Sequence, residues 1–138
     1  MAGPALLLVD LQPDFLERPG LAPDALTLIQ RAADVLACWR ALGLPVAHAH
    51  TITRADGDDR MPHWKRQGTR ACVAGTPGAT PPPELAPVAG EVVVQKRYYS
   101  AFADERLAAW LRDRAIARLV VAGLYLHGCV RSTVLDAY

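Results

Sequence analysis

A short run of apolar residues that ends at a carboxylate most constrains the fold of this chain. Ala5–Val9 contains five consecutive apolar residues, and Asp10 follows directly. A continuous run of this length, without polar alternation, is typical of a strand buried on both faces of a parallel sheet. We therefore expect Asp10 at the C-terminal end of such a strand, the edge at which open α/β sheets bind their ligands.

The rest of the chain alternates between strand and helix patterns. Further strands are predicted at 45–52, 91–95 and 119–122, and helices after Asp24 and Asp104. Residues 11–15 are interpreted as a loop, and a last helical segment follows Gly128. The long connection 54–90 is rich in proline and glycine, and we expect an ordered loop. This alternation predicts one α/β domain over residues 1–138.

Composition excludes several classes of protein. The chain is 51% hydrophobic with a net charge of +1, which excludes disorder along its whole length and gives no basic surface for nucleic acid. No apolar run is long enough to span a bilayer, and no signal peptide is recognisable, so we expect no membrane partner and a cytoplasmic location. Three cysteines at unrelated spacings leave at least one free thiol. Cys38 lies in a predicted amphipathic helix, and we expect its side chain to be buried in the protein core.

Three strand ends carry groups suited to hydrolysis. Asp10 follows the first strand, Lys96 the third, and Cys129 lies in the turn after the fourth. A helix N-terminus and a nearby cation are expected to lower the thiol pKa and favour a nucleophilic thiolate. Asp10 is suited to proton transfer. Taken singly, each residue has a structural alternative: a capping acid, a solvated lysine or a small buried thiol.

These residues lie within three ordered motifs that resemble those of the isochorismatase-like cysteine hydrolases. The motifs are 9–15 (VDLQPDF), Lys96 with 99–102 (YSAF), and 123–137, which includes GCVRST. The family includes nicotinamidases and N-carbamoylsarcosine amidases. The resemblance implies a Rossmann-like three-layer α/β fold with a parallel sheet, and an Asp10, Lys96 and Cys129 catalytic triad. It also implies a cis peptide at Leu124–Tyr125, with the N–H groups of Tyr125 and Cys129 as oxyanion hole.

Family members usually continue with further strands after the last helix seen here. The resemblance therefore implies a fold truncated at its C-terminus, with the C-terminal strands of the family absent. An exposed strand edge invites pairing with another chain. We accordingly expect a homo-oligomer, or completion of the sheet by another chain.

Departures from the family pattern bear on the subtype. His48-Ala-His50 lacks the aspartate that precedes the metal-binding histidine of nicotinamidases, so no metal is expected, although His48, His50 and His63 remain an alternative ligand set. Tyr125-Leu-His127 resembles true isochorismatases, which cleave a vinyl ether without a cysteine. The retained Cys129 favours C–N bond hydrolysis instead.

The sequence therefore predicts a hydrolase for a small amide or ureido compound that acts through a covalent thioester and needs no cofactor. One alternative is a vinyl ether hydrolase with Asp10 as general acid, and the other is a non-catalytic pseudoenzyme or assembly subunit. Several aromatic and polar residues are predicted to contact the small-molecule substrate. They are Gln12, Phe15, His50, Trp64, Tyr99, Phe102 and His127.

Overall fold

The apolar run 5–9 forms an inner strand of a four-stranded parallel sheet. The computed structural model describes residues 3–138. Its strands are β1 (Ala5–Val9), β2 (Val46–Thr51), β3 (Val92–Lys96) and β4 (Leu119–Gly123), in the order β3-β2-β1-β4. The predicted α/β class with a parallel sheet is confirmed.

β1 is covered on both faces, as its continuous apolar pattern predicts. All five of its residues are buried. Leu6 and Leu8 belong to one core cluster, whereas Leu7 and Val9 belong to another. Successive side chains of a strand point to opposite faces, so these two clusters are the two layers that the sheet separates.

Within residues 3–138, five α-helices accompany the sheet. They are α1 (Pro13–Leu16), α2 (Ala25–Ala41), α3 (Pro62–Gln67), α4 (Glu105–Asp113) and α5 (Arg131–Ala137). Helices follow Asp24 and Asp104 as predicted, and both aspartates cap them: Asp24 accepts a hydrogen bond from Thr27 N at 3.0 Å, and Asp104 from Arg106 N at 3.1 Å. The prediction of a loop throughout 11–15 is wrong. Pro13 starts a short helix there, because its fixed φ suits a first helical position.

One position of α2 faces solvent, contrary to its predicted burial: Cys38 is exposed. The buried stripe of α2 instead runs through Ala32 and Leu36. Cys38 follows Leu36 by two residues, which is about 200° around a helix, so it faces away from the sheet.

The long connection 54–90 is folded against the first motif. A parallel bridge joins Thr53 to Val73, and Cys72 N donates to Asp14 Oδ2 at 2.7 Å. Gly78 approaches Asp14 so closely that a Cβ on Gly78 would lie 2.2 Å from its carboxyl group. Trp64 is buried in this connection, with its ring centroid 6.2 Å from that of Phe15. The connection is therefore ordered and forms one wall beside the end of β1.

Membrane insertion of a helix finds no support in the fold. Across residues 3–138, none of the helices combines the length and apolar character that crossing a bilayer requires.

Candidate active site

Asp10, Lys96 and Cys129 meet at the carboxyl edge of the sheet. Lys96 Nζ lies 2.8 Å from Asp10 Oδ2 and 3.3 Å from Cys129 Sγ. Asp10 directly follows β1, Lys96 ends β3, and Cys129 lies in a π-helical turn, Leu126–Val130, between β4 and α5. All three are buried. The topology thus unites the three residues that the strand-end argument selected.

A fourth polar residue, Thr51, connects this cluster and was missed by the sequence analysis. Its hydroxyl donates to Asp10 Oδ1 at 2.7 Å and accepts from Lys96 Nζ at 3.0 Å. Thr51 ends β2, which lies between β1 and β3. The sequence shows Thr51 as a polar residue at the end of β2. Its position beside Asp10 and Lys96 becomes clear only when the strand order is known.

Lys96 is fixed by hydrogen bonds on several sides. Besides Asp10, Thr51 and Cys129, its ammonium group donates to the Tyr98 carbonyl at 3.0 Å. The side chain has no solvent exposure. A buried ammonium requires such partners, because an unpaired charge inside a protein is strongly unfavourable. Lys96 therefore holds the thiol and the carboxylate at fixed positions relative to each other.

The Cys129 thiol differs from the activated thiolate that the sequence predicts. Burial, together with the negative charge of Asp10, raises its pKa to about 11, and the Lys96 ammonium opposes this effect only in part. The expectation of a lowered pKa is therefore wrong. The physical reason is that desolvation penalises the charged thiolate more than one cation stabilises it.

The turn that carries Cys129 begins with tight backbone contacts. At Gly123, φ is +146°, and a Cβ there would lie 2.0 Å from the Val9 carbonyl oxygen. The Leu124–Tyr125 peptide bond is cis. The Tyr125 carbonyl accepts from Gly128 N and from Val130 N, both at 3.1 Å, whereas within residues 3–138 the Tyr125 N–H has no backbone acceptor.

An open cleft of about 1080 Å³ leads to the thiol. Four of the predicted contact residues line it: Phe15, Trp64, Tyr99 and His127. Its lining also includes Tyr125, whose ring packs edge-on against Phe15 with centroids 5.8 Å apart. Apolar and aromatic side chains together with a few polar groups are typical of sites for small organic ligands.

The other three predicted contact residues do not line this cleft. Gln12 is fully buried, and its amide binds Thr51 O and Ala79 O at 2.8 Å and Thr51 N at 2.9 Å. Gln12 therefore joins β2 to the long connection, and both of its amide N–H donors are used within the fold. Phe102 packs against the core cluster that contains Leu107. These side chains are used in packing and hydrogen bonding within the fold.

The histidines of β2 lie on the α2 side of the sheet. His48 is buried, and its Nε2 lies 2.7 Å from Glu91 Oε2. Arg40 Nε contacts the same carboxylate at 2.7 Å. His50 packs beside His48 with ring centroids 6.0 Å apart and does not line the cleft. No group of three metal-binding side chains is found in the described part of the chain, residues 3–138.

His50 gives rise to a pH-dependent stability prediction. Burial, with a contribution from His48, lowers the pKa of His50 from 6.5 to about 4. The unfolded chain therefore binds an extra proton between these values, so stability is lost as pH falls from 6.5 towards 4. One proton sets a limiting slope of about 1.4 kcal/mol per pH unit. We expect His50→Asn to reduce the pH dependence of urea unfolding in this window.

The control for this prediction is His63→Asn, at a partly exposed position of α3. It is expected to keep the wild-type slope. An unchanged slope in His50→Asn would contradict the assignment of this acid sensitivity to His50.

Comparison with known proteins identifies relatives along nearly the whole chain. The isochorismatase domain model matches residues 4–138. Maleamate amidohydrolase from Pseudomonas putida is 34% identical over 97% of this chain and 65% of its own length. N-carbamoylsarcosine amidase from Arthrobacter is 31% identical, over 97% of this chain and 53% of its own length. The chain thus spans just over half to about two thirds of these two relatives.

A solved structure shares the fold as well. The isochorismatase family protein from Desulfovibrio vulgaris superimposes with a TM-score of 0.85 at 38% identity, covering 99% of this chain and 75% of the other. The family match, the sequence identities and the shared fold agree with one another. The chain belongs to the isochorismatase family.

Proposed function

We propose that this chain hydrolyses a C–N bond of a small amide or ureido compound through a thioester on Cys129. The observation that carries the proposal is the contact of Lys96 Nζ with both Asp10 and Cys129 Sγ at the floor of the cleft. The thiol would be the nucleophile, and the adjacent carboxylate would accept its proton. The names of the two relatives, an amidohydrolase and an amidase, support the same class of reaction.

The first half of the reaction forms the thioester. Because the pKa of Cys129 is about 11, the thiol is protonated at neutral pH. Transfer of its proton to Asp10 must therefore accompany attack of sulfur on the acyl carbon. The resulting oxyanion would be stabilised by backbone N–H groups of Tyr125 and Cys129. Collapse of this intermediate breaks the C–N bond, and the amine leaves with the proton held by Asp10.

The second half releases the acid. Asp10 would accept a proton from water as the water oxygen attacks the thioester carbon. The C–S bond then breaks, and the proton on Asp10 returns to the Cys129 sulfur. One water is consumed. An amide gives an amine or ammonia and a carboxylic acid, whereas a ureido compound gives an amine or ammonia and a carbamic acid, which then loses carbon dioxide. Every proton transfer uses groups of this chain, so the reaction requires no cofactor.

The test combines product detection with capture of the intermediate. A panel of small primary amides and ureido acids is assayed for ammonia release, and an active reaction is quenched in acid. Tryptic cleavage after Arg118 and Arg131 gives peptide 119–131, which contains Cys129 and neither of the other cysteines. We expect this peptide to carry the acyl mass. Ammonia release without that adduct would overturn the thioester, and no release across the panel would overturn amide hydrolysis.

A further inference from the structure

The walls of the cleft carry positive but no negative side chains. The ionisable groups of basic type that line it in the described residues 3–138 are Arg18, Arg131, His63 and His127, and no aspartate or glutamate does so. Asp10 lies beneath the floor and is already bonded to Lys96 and Thr51. The open part of the site is therefore electropositive, although the whole chain carries a charge of only +1.

A second cavity in the same protein differs from the cleft, because its arginines are paired with carboxylates. A polar cavity of about 550 Å³ contains arginines that each have an acidic partner. Arg97 Nε lies 2.8 Å from Asp59, and Arg106 Nη2 lies 2.6 Å from Asp104. The positive charges of that cavity are neutralised from within the chain. Within residues 3–138, the two arginines of the main cleft form no ion pair.

Arg18 is the better placed of the two cleft arginines. Its guanidinium lies 5.6 Å from the centroid of the Phe15 ring, and its Nε donates to the Asp14 carbonyl at 3.4 Å. The same Phe15 accepts a hydrogen bond at its carbonyl from the Tyr125 hydroxyl at 3.1 Å, so Arg18 and Tyr125 both contact this residue. Tyr125 begins the turn that ends at the nucleophile. Arg18 thus lines the same cleft as Cys129.

The chemistry of an unpaired guanidinium favours a carboxylate. Its planar set of N–H donors matches the two oxygens of a carboxylate, and such bidentate contacts are among the strongest hydrogen bonds in proteins. Arg131, two residues after Cys129, adds a second positive charge that attracts anions to the cleft. The aromatic side chains Phe15, Trp64 and Tyr99 would contact the carbon skeleton between the carboxylate and the scissile amide.

Building on the amide hydrolysis proposed above, we infer that the substrate carries a carboxylate and that Arg18 binds it while the scissile carbonyl lies against Cys129. Arg18 would then act in binding and orientation, because it holds the far end of the substrate. Its loss would weaken binding of anionic amides and leave neutral amides unaffected.

Binding to a Cys129→Ala protein tests this inference without turnover. The ligands are succinamate and 4-oxopentanamide, a neutral analogue in which a methyl group replaces one carboxylate oxygen. By calorimetry we expect succinamate to bind at least about tenfold more tightly than the ketone. Adding Arg18→Gln is expected to weaken succinamate binding about 30-fold and change ketone binding by less than about twofold. Arg18→Lys should be intermediate, because it keeps the charge but loses the planar donors.

Arg112→Gln is the matched control, since it removes one positive charge from an exposed position of α4 outside the cleft. It should leave both affinities unchanged. Equal binding of the two ligands, equal weakening of both by Arg18→Gln, or a larger effect of Arg131→Gln would each overturn the assignment to Arg18. A protein with intact Cys129 that releases ammonia equally fast from both ligands would overturn the inference and leave amide hydrolysis standing. Binding that depends on Arg18, without ammonia release from either ligand, would support the contact between Arg18 and the carboxylate and overturn amide hydrolysis.

Discussion

Replacing Cys129 by alanine is expected to abolish the proposed release of ammonia from small amides. The sulfur is the atom that would form the new bond to the acyl carbon, and neither Asp10 nor Lys96 can replace it in that position. Loss of a covalent nucleophile lowers kcat by at least about 10⁴-fold in enzymes of this type. The measurement is steady-state ammonia release, with circular dichroism to show that the variant is folded.

Cys38→Ala provides the matched control for this experiment. Cys38 is a free cysteine on the exposed side of α2 and does not line the cleft. Its replacement is expected to leave kcat within about twofold, since surface substitutions seldom have large effects. Turnover that survives in Cys129→Ala would contradict the thioester mechanism. Turnover of a vinyl ether substrate by that variant would favour the alternative in which Asp10 acts as general acid.

Replacing Lys96 by methionine is expected to lower the stability of the fold as well as the activity. The Lys96 and Asp10 side chains are almost completely buried and lie 2.8 Å apart. Methionine leaves the Asp10 carboxylate buried beside a neutral side chain. Removing one partner of a buried ion pair costs about 3–5 kcal/mol. The free energy of unfolding, measured by urea titration, should fall by an amount in this range.

Two further variants show whether charge causes this loss. Lys65→Met, at an exposed position of α3, should leave stability nearly unchanged. Asp10→Asn combined with Lys96→Met should be more stable than Lys96→Met alone, because the uncompensated carboxylate has been removed. If the double variant is no more stable than the single one, lost packing is responsible for the effect. Neither variant at the pair is expected to release ammonia.

Much of the fold and of the candidate site could be predicted because the signals are local. The apolar run 5–9 was sufficient to place a buried strand, and Asp24 and Asp104 were recognisable as caps. In a parallel sheet all strand ends of one kind lie at one edge, so residues that follow strands are brought together. This argument selected Asp10, Lys96 and Cys129 before their distances were known.

The incorrect predictions concern properties that depend on neighbours distant in sequence. Gln12 was assigned to substrate binding, but its partners Thr51 and Ala79 lie 39 and 67 residues away. Cys38 was assigned to the core, although the face that α2 buries is determined by the sheet beneath it. The pKa of Cys129 was expected to fall and instead rises, because burial depends on the complete packing around the thiol. A single sequence contains no direct record of these contacts.

The sequence by itself determined the α/β class and the carboxylate, ammonium and thiol at the strand ends, because those features follow from local apolar patterns and residue order. The tertiary structure decided how these groups meet. The order β3-β2-β1-β4 places Thr51 between Asp10 and Lys96, which are 86 residues apart, and burial keeps the thiol protonated. Within the described residues 3–138, it also left Arg18, which lines the cleft, without an ion-pair partner. Strand order, desolvation and charge pairing result from long-range packing, which only the folded chain defines.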